Sequence, residues 1–235
     1  MNTLPHTPTC VGIILDGNRR FAREHGVPVV EGYRRGFDAL ERVVLAAQER
    51  GIAHVVVYGF STENWQRPEG EVASLMQLFE MIAREGLGQI MQKGVALRFV
   101  GQRERFSLEL QHLMDGLEER SPANARCTLW VCLSYGGRAE IVHAAQRAAQ
   151  SGKEITEETL AKYLWTAGLP DATVAMPDPD LIIRAGGEQR LSNFLLWQSA
   201  YSELFFVDTL WPAFTVDDFD AILAEYATRS RRMGA

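Results

Sequence analysis

Several short stretches of this 235-residue chain gather side chains able to hold phosphate and metal, beginning with Asp16-Gly17-Asn18-Arg19-Arg20-Phe21-Ala22-Arg23. A carboxylate, a glycine that lets backbone come close, and an arginine-rich helix start suit a diphosphate together with a divalent cation. Helix N-termini favour anions, and guanidinium groups grip phosphate oxygens in pairs. Mg²⁺ typically takes one or two carboxylates and fills its other positions with water and phosphate. Standing alone, Asp-Gly-Asn is also a common turn with a solvated basic face, so this stretch does not decide the chemistry by itself.

A second stretch, Ser61-Thr62-Glu63-Asn64-Trp65-Gln66-Arg67-Pro68, packs hydroxyls, an acid, an amide, an indole and an arginine together. It reads equally as a reactive loop or as a helix-capping loop anchored by Trp65. Ser134-Tyr135-Gly136-Gly137-Arg138 offers paired glycines before a helix, a weak sign of an anion nest. Arg184-Ala185-Gly186-Gly187-Glu188-Gln189-Arg190-Leu191-Ser192-Asn193-Phe194 is more telling. Arg184, Arg190 and Ser192 around a Gly-Gly hinge form a natural clamp for a second diphosphate. Glu203 downstream is either a second metal-side acid or the partner of a basic neighbour.

Short apolar or β-branched runs must position these stretches. They fall at residues 11–15, 54–60, 96–100, 127–133, 181–184 and 204–207. Amphipathic segments separate them at 34–50, 71–92, 107–119, 139–149 and 156–164, with a last one at 217–231. That alternation predicts an α/β fold, a single domain over residues 1–235 with a mostly parallel six-stranded sheet flanked by helices. Thr215 and Asp218 have the spacing of a capping box for the last helix, and 168–179 reads as a surface loop. Ligands of such sheets bind beyond the carboxyl ends of the strands, where the polar stretches fall.

Composition narrows the field. A net charge of −6 argues against a nucleic-acid partner. Three cysteines without C-x-x-C spacing argue against a disulfide framework or a zinc site, and suit a cytoplasmic protein. No signal-peptide pattern and no apolar run of spanning length is present, which leaves at most peripheral contact with a membrane. Neither G-x-x-x-x-G-K-[ST] nor a G-x-G-x-x-G after a strand occurs, so nucleotide chemistry loses ground. No histidine follows a late strand, where a hydrolase triad would need one.

From about residue 11 to 234 the chain resembles the cis-prenyltransferases of the undecaprenyl diphosphate synthase type. The resemblance rests on the stretches above, extended by Tyr58-Gly59-Phe60, Ile183, Leu195-Leu196-Trp197-Gln198 and Tyr201-Ser202-Glu203-Leu204. It implies a homodimer of α/β subunits, each with a hydrophobic tunnel, that extends an allylic diphosphate with isopentenyl diphosphate and releases diphosphate. By matching position it implies that Asp16 holds Mg²⁺ and promotes departure of the allylic diphosphate. Gly17, Asn18, Arg19, Arg20 and Arg67 would line the allylic site. Arg184, Arg190 and Ser192 would bind isopentenyl diphosphate. Ser61, Glu63, Asn64 and Trp65 would lie over the reacting ends, with Asn64 catalytic. Glu203 would serve the metal, and Arg232-Met233-Gly234 would reach across the dimer.

Three departures bear on the product. The family's Gly-His-x-x-x-Gly turn is Gly32-Tyr33-Arg34-Arg35-Gly36 here, and a phenol, with a reference pKa of ~10, does not act as a neutral base as imidazole does. Val29 stands where a basic residue is common. Trp130-Val131-Cys132-Leu133-Ser134 replaces smaller residues before Tyr-Gly-Gly, and Leu133 would fill space that a long product needs. These predict a short product of two to four isoprene units. Irregular head-to-middle coupling is the alternative, and a non-catalytic subunit or a simple phosphate-ester binder are others.

Overall fold

The computed structural model describes residues 6–167 and 175–229. Most of the 168–179 loop and the Arg232-Met233-Gly234 ending therefore lie outside the described residues. Six strands, β1 (Cys10–Ile14), β2 (His54–Ser61), β3 (Val95–Val100), β4 (Cys127–Tyr135), β5 (Leu181–Arg184) and β6 (Glu203–Phe206), form one sheet in the order β3-β4-β2-β1-β5-β6. Every neighbouring pair is parallel. The chain lays β2, β3 and β4 on one side of β1 and β5 and β6 on the other. This reversal is where open α/β sheets leave a crevice for ligands.

Both faces of the sheet are covered, which explains why the strands read as unbroken apolar runs. Side chains alternate between two cores. Val11, Ile13, Val55 and Val57 face one core, while Cys10, Ile14 and Val56 face the other. Helix α1 (Asn18–Glu24) leads into α2 (Val29–Glu49), whose stripe Ala39, Leu40, Val43, Val44, Ala47 packs on the larger core. The apolar segment expected at 71–92 is not one regular helix. It is α3 (Glu69–Met81), a π-helical turn (Ile82–Gly86) and α4 (Leu87–Gln92). Helices α5 (Leu108–Glu119), α6 (Gly137–Gln150), α7 (Glu157–Ala161) and α8 (Val216–Thr228) complete the layers.

Local chemistry sets several of these ends. Thr215 and Asp218 exchange both bonds of a capping box at the start of α8. Ser107 and Thr156 cap α5 and α7 through their side chains. The three cysteines are buried thiols with no disulfide. No helix among the described residues is long and apolar enough to cross a membrane.

Candidate active site

The site grows out of the β1–α1 turn. Gly17 carries a φ of 108° and packs so tightly on Leu210 that a side chain there would clash, so glycine is what lets α1 start where it does. Asp16 is thereby held beside the end of β5, because Ile14 pairs with Arg184 across the β1–β5 ladder. Oδ2 of Asp16 accepts a hydrogen bond of 2.7 Å from Nη2 of Arg184. Its Oδ1 has a looser approach, 3.8 Å from Nη2 of Arg20.

Arg184 is the hub. Its side chain is 5% exposed, against 34% for Asp16. Besides Asp16, it donates from Nη1 to the Arg190 carbonyl at 2.5 Å and to Ser192 Oγ at 2.7 Å. Its Nε is buried without a partner among the described residues, as is Oδ1 of Asn18. A buried unpaired polar atom is costly unless something else satisfies it. The loop after β5 is strained to match: Ser192, Asn193 and Leu195 take φ values of 49°, 70° and 45°. Non-glycine residues in this left-handed region cluster where function requires an awkward geometry.

The loop after β2 supplies the other side of the mouth. Arg67 donates from Nη1 to the Tyr33 hydroxyl at 2.9 Å and to Glu71 Oε1 at 3.1 Å. Glu71 also sits 3.6 Å from Nε of Arg19. Asn64 accepts from the Ser61 N–H at 3.1 Å, closing a capping box on the short helical turn Thr62–Gln66. Trp65 donates its indole N–H to Ser134 Oγ at 2.9 Å, packs on Phe60 and Phe106, and lies under Arg105. Glu63 accepts from Asn193 Nδ2 at 2.8 Å, tying this loop to the one after β5. Burial opposes the charge of Glu63, but hydrogen bonds from its backbone, Asn193, Thr62 and Ser61 outweigh it and hold the carboxyl below the usual range.

One cavity of about 360 Å³ joins these groups. Asp16, Asn18, Arg20, Asn64, Arg67, Arg184 and Ser192 stand along its lining, with Gly17, Arg19, Ser61 and Tyr33. The remaining lining is apolar, drawn from α2, α3, the π turn, α5 and the strands, and includes Phe37, Phe79, Ile82, Met114 and Leu133. Leu133 stands near the carboxyl end of β4, facing Gly59. Glu63, Trp65 and Arg190 stand outside the lining. The first two brace the mouth, and Arg190 contributes its carbonyl while its side chain pairs with Glu188. Glu203 is not brought to the mouth within one chain. It pairs in register with Leu181, three residues below Arg184, or about 10 Å along the strand. Its carboxylate accepts from Nη1 of Arg229 at 2.8 Å.

The residues at the mouth fit a divalent cation shared with phosphate. Asp16 is half-exposed with one oxygen only loosely engaged, and no group of three or more metal-binding side chains forms among the described residues. That is the donor set expected where ligand phosphates complete the coordination.

Two features escaped sequence reasoning. Glu71 reads as an ordinary helix-start acid, and only its i,i+4 spacing from Arg67 hinted at a pair. Glu140 is fully buried behind the site, accepting from the Tyr135 hydroxyl at 2.5 Å, the Thr166 N–H at 3.1 Å and Gln198 Nε2 at 3.1 Å. Burial pushes its carboxyl above the usual range despite those bonds.

An α/β fold with this strand order and this pair of phosphate-ready loops is that of a prenyltransferase, and the chain belongs to the undecaprenyl diphosphate synthase family. Residues 14–234 match the family model described as "Putative undecaprenyl diphosphate synthase". The chain is 42% identical to an isoprenyl transferase of Agrobacterium fabrum, covering 97% of this chain and 92% of that one. It is 44% identical to isoprenyl transferase 2 of Bradyrhizobium diazoefficiens, covering 97% and 90%. In three dimensions it matches lavandulyl diphosphate synthase from Lavandula x intermedia, solved in complex with dimethylallyl diphosphate, with a TM-score of 0.90 and 34% identity over 97% of this chain and 99% of that one. A probable undecaprenyl diphosphate synthase from Campylobacter jejuni matches with a TM-score of 0.81 and 30% identity, over 98% and 100%.

Proposed function

We propose that the chain is a Mg²⁺-dependent cis-prenyltransferase that condenses isopentenyl diphosphate with an allylic diphosphate and forms a short isoprenyl diphosphate. The observation that carries this is the single cavity, lined by carboxylate and guanidinium groups at one end and by hydrocarbon at the other. The bulk of Phe37, Phe79 and Leu133 along the apolar part of the lining supports a short tail.

In this reading Arg20, Arg67 and the start of α1 receive the allylic diphosphate, while Arg184 and Ser192 receive that of isopentenyl diphosphate. Asp16 holds the cation, which when bound withdraws charge from the departing diphosphate. The allylic carbon–oxygen bond breaks with its electron pair leaving on diphosphate. Fixed guanidinium groups stabilise that charge as it grows. The double bond of isopentenyl diphosphate attacks the allylic carbon, and loss of a proton completes the new double bond. The apolar lining keeps water from the cation-like carbon. In the same reading Asn64, which accepts from the Ser61 N–H and lines the cavity, orients the reacting ends.

A homodimer belongs to the same proposal. Strand β6 is a sheet edge that carries exposed Leu204, with exposed Tyr201 just before it, and Glu203 would serve a metal only from such an arrangement. Light scattering of the purified protein tests it, and a monomer at micromolar concentration would remove Glu203 from the metal site.

The enzymatic test is product analysis against a panel of allylic diphosphates, with labelled isopentenyl diphosphate, with and without Mg²⁺. Products of ten or more units would overturn the short-chain assignment. Irregular head-to-middle coupling is the second reading, favoured by the higher TM-score to lavandulyl diphosphate synthase. Coupled product from dimethylallyl diphosphate alone, identified by mass spectrometry, would establish it. Inertness toward every donor, combined with activation of a partner enzyme, would point to a supporting subunit.

A further inference from the structure

Helix α2 and the π turn that follows α3 both line the cavity, and an aromatic ring joins them. Phe37 on α2 lines the cavity one helical turn below Tyr33, the residue that bonds Arg67 at the mouth. Its ring rests on the backbone of Gly86, the last residue of the π turn. A Cβ at Gly86 would come within 2.6 Å of two ring carbons, closer than side chains approach, so only glycine provides this seat. Ile82 and Ala83 from the same π turn, and Leu87 just after it, line the cavity beside the ring. A π turn within a helix is rare and tends to occur where function requires it. Here it coincides with the glycine on which the ring from the opposite wall is seated.

We infer that Phe37, seated on Gly86, is the gauge that sets how long a prenyl tail the enzyme accepts and makes. The inference rests on the cavity holding a prenyl tail, and it names the residues that limit that tail. The ring, reaching from α2 to Gly86 among the apolar lining residues, is taken to stand in the path of the tail. A growing tail must displace it or stop. The phenyl group removed by Phe37→Ala has six carbons and an isoprene unit has five, so the deletion opens room for about one more unit. Gly86→Ala acts oppositely: its methyl group expels the ring from its seat toward the open side, which is the cavity.

The test measures binding as well as turnover. Unreactive S-thiolodiphosphates with tails of one to five isoprene units are titrated calorimetrically into the wild-type protein, Phe37→Ala, Phe37→Leu and Gly86→Ala, each with Mg²⁺. The wild type is expected to show a cut-off in tail length. Phe37→Ala should move that cut-off up by about one unit, and Gly86→Ala should move it down. Product lengths should shift the same way. Circular dichroism melts identify any variant that fails to fold, and Phe37→Leu then carries the comparison. Identical cut-offs in the wild type and the folded Phe37 variants would overturn the gauge while leaving the prenyltransferase reading intact. If the wild type bound no analogue of any length, both would fall.

Discussion

The two ends of the cavity are built on different principles. The mouth is made of loops after β1, β2 and β5, and its charged groups are already engaged: Asp16 with Arg184 and Arg67 with Glu71 as ion pairs, Glu63 by a hydrogen bond from Asn193. The interior is made of helices and strand side chains and is apolar. Its character lies in the volumes of Phe37, Phe79, Ile82, Met114 and Leu133. A mouth with paired charges keeps its guanidinium groups aimed without ligand, so a diphosphate meets prearranged donors and little reorganisation is needed. An apolar interior has no such direction. It can measure a tail but cannot orient one. In this division chemistry belongs to the mouth and product length to the interior.

Substitutions at the mouth break that comparison most sharply. Asp16→Ala should lower kcat by about 10²–10³-fold or more, since it removes charge stabilisation from the departing group. Steady-state diphosphate release checks this, and an unchanged product-length distribution in the residual activity would confirm that mouth and interior act separately. Arg184→Lys comes next. One ammonium cannot reproduce a fork that engages Asp16 from Nη2 and both Arg190 and Ser192 from Nη1, so kcat/KM for isopentenyl diphosphate should fall about 10–100-fold. A change confined to the allylic substrate would place Arg184 differently.

Tyr33→Phe probes the junction of the two regions. It removes the acceptor of one hydrogen bond from Arg67 while Glu71 remains. A net loss of ~1 kcal/mol, or about five-fold, should appear in KM for the allylic diphosphate and scarcely in kcat. Tyr33→His should restore affinity at high pH and lose it as the imidazole becomes protonated and stops accepting.

The smallest effect lies outside the cavity and sharpens the contrast by leaving it alone. His54 at the start of β2 accepts at Nδ1 from the Trp130 indole N–H at 3.1 Å, and burial lowers its pKa below the usual value of 6.5. Below about pH 6.5 the unfolded chain therefore binds the proton more readily than the folded one, so stability falls as pH drops through that value. Urea titrations between pH 5 and 8 should show this slope, and His54→Gln should flatten it without altering product length.

Much of this was legible in the sequence because parallel strands announce themselves. Residues 181–184 and 54–60 had to be strands, and the polar groups after them had to share one sheet end. The motif residues Asp16, Arg67 and Arg184 accordingly meet in one cavity. The alternation of strand and helix said less about Glu203, because the register of β6 against β5 decides its depth and no local pattern reports register. The π turn was equally hidden. Residues 71–92 keep one apolar periodicity, and Gly86 and Gly88 within it signal a weak point but not a π turn. Phe37 looked like one more core residue on an amphipathic face, since periodicity reveals which side a residue points to but not what cavity it borders.

Glu140 carries a consequence for how the mouth is held in place. A single inward-facing carboxyl group gathers the end of β4, the segment around Thr166 and the stretch around Gln198. Three pieces of chain distant in sequence thus answer to one atom group, and none can drift alone. Loss of that carboxyl would therefore loosen three segments at once, behind the mouth rather than in it.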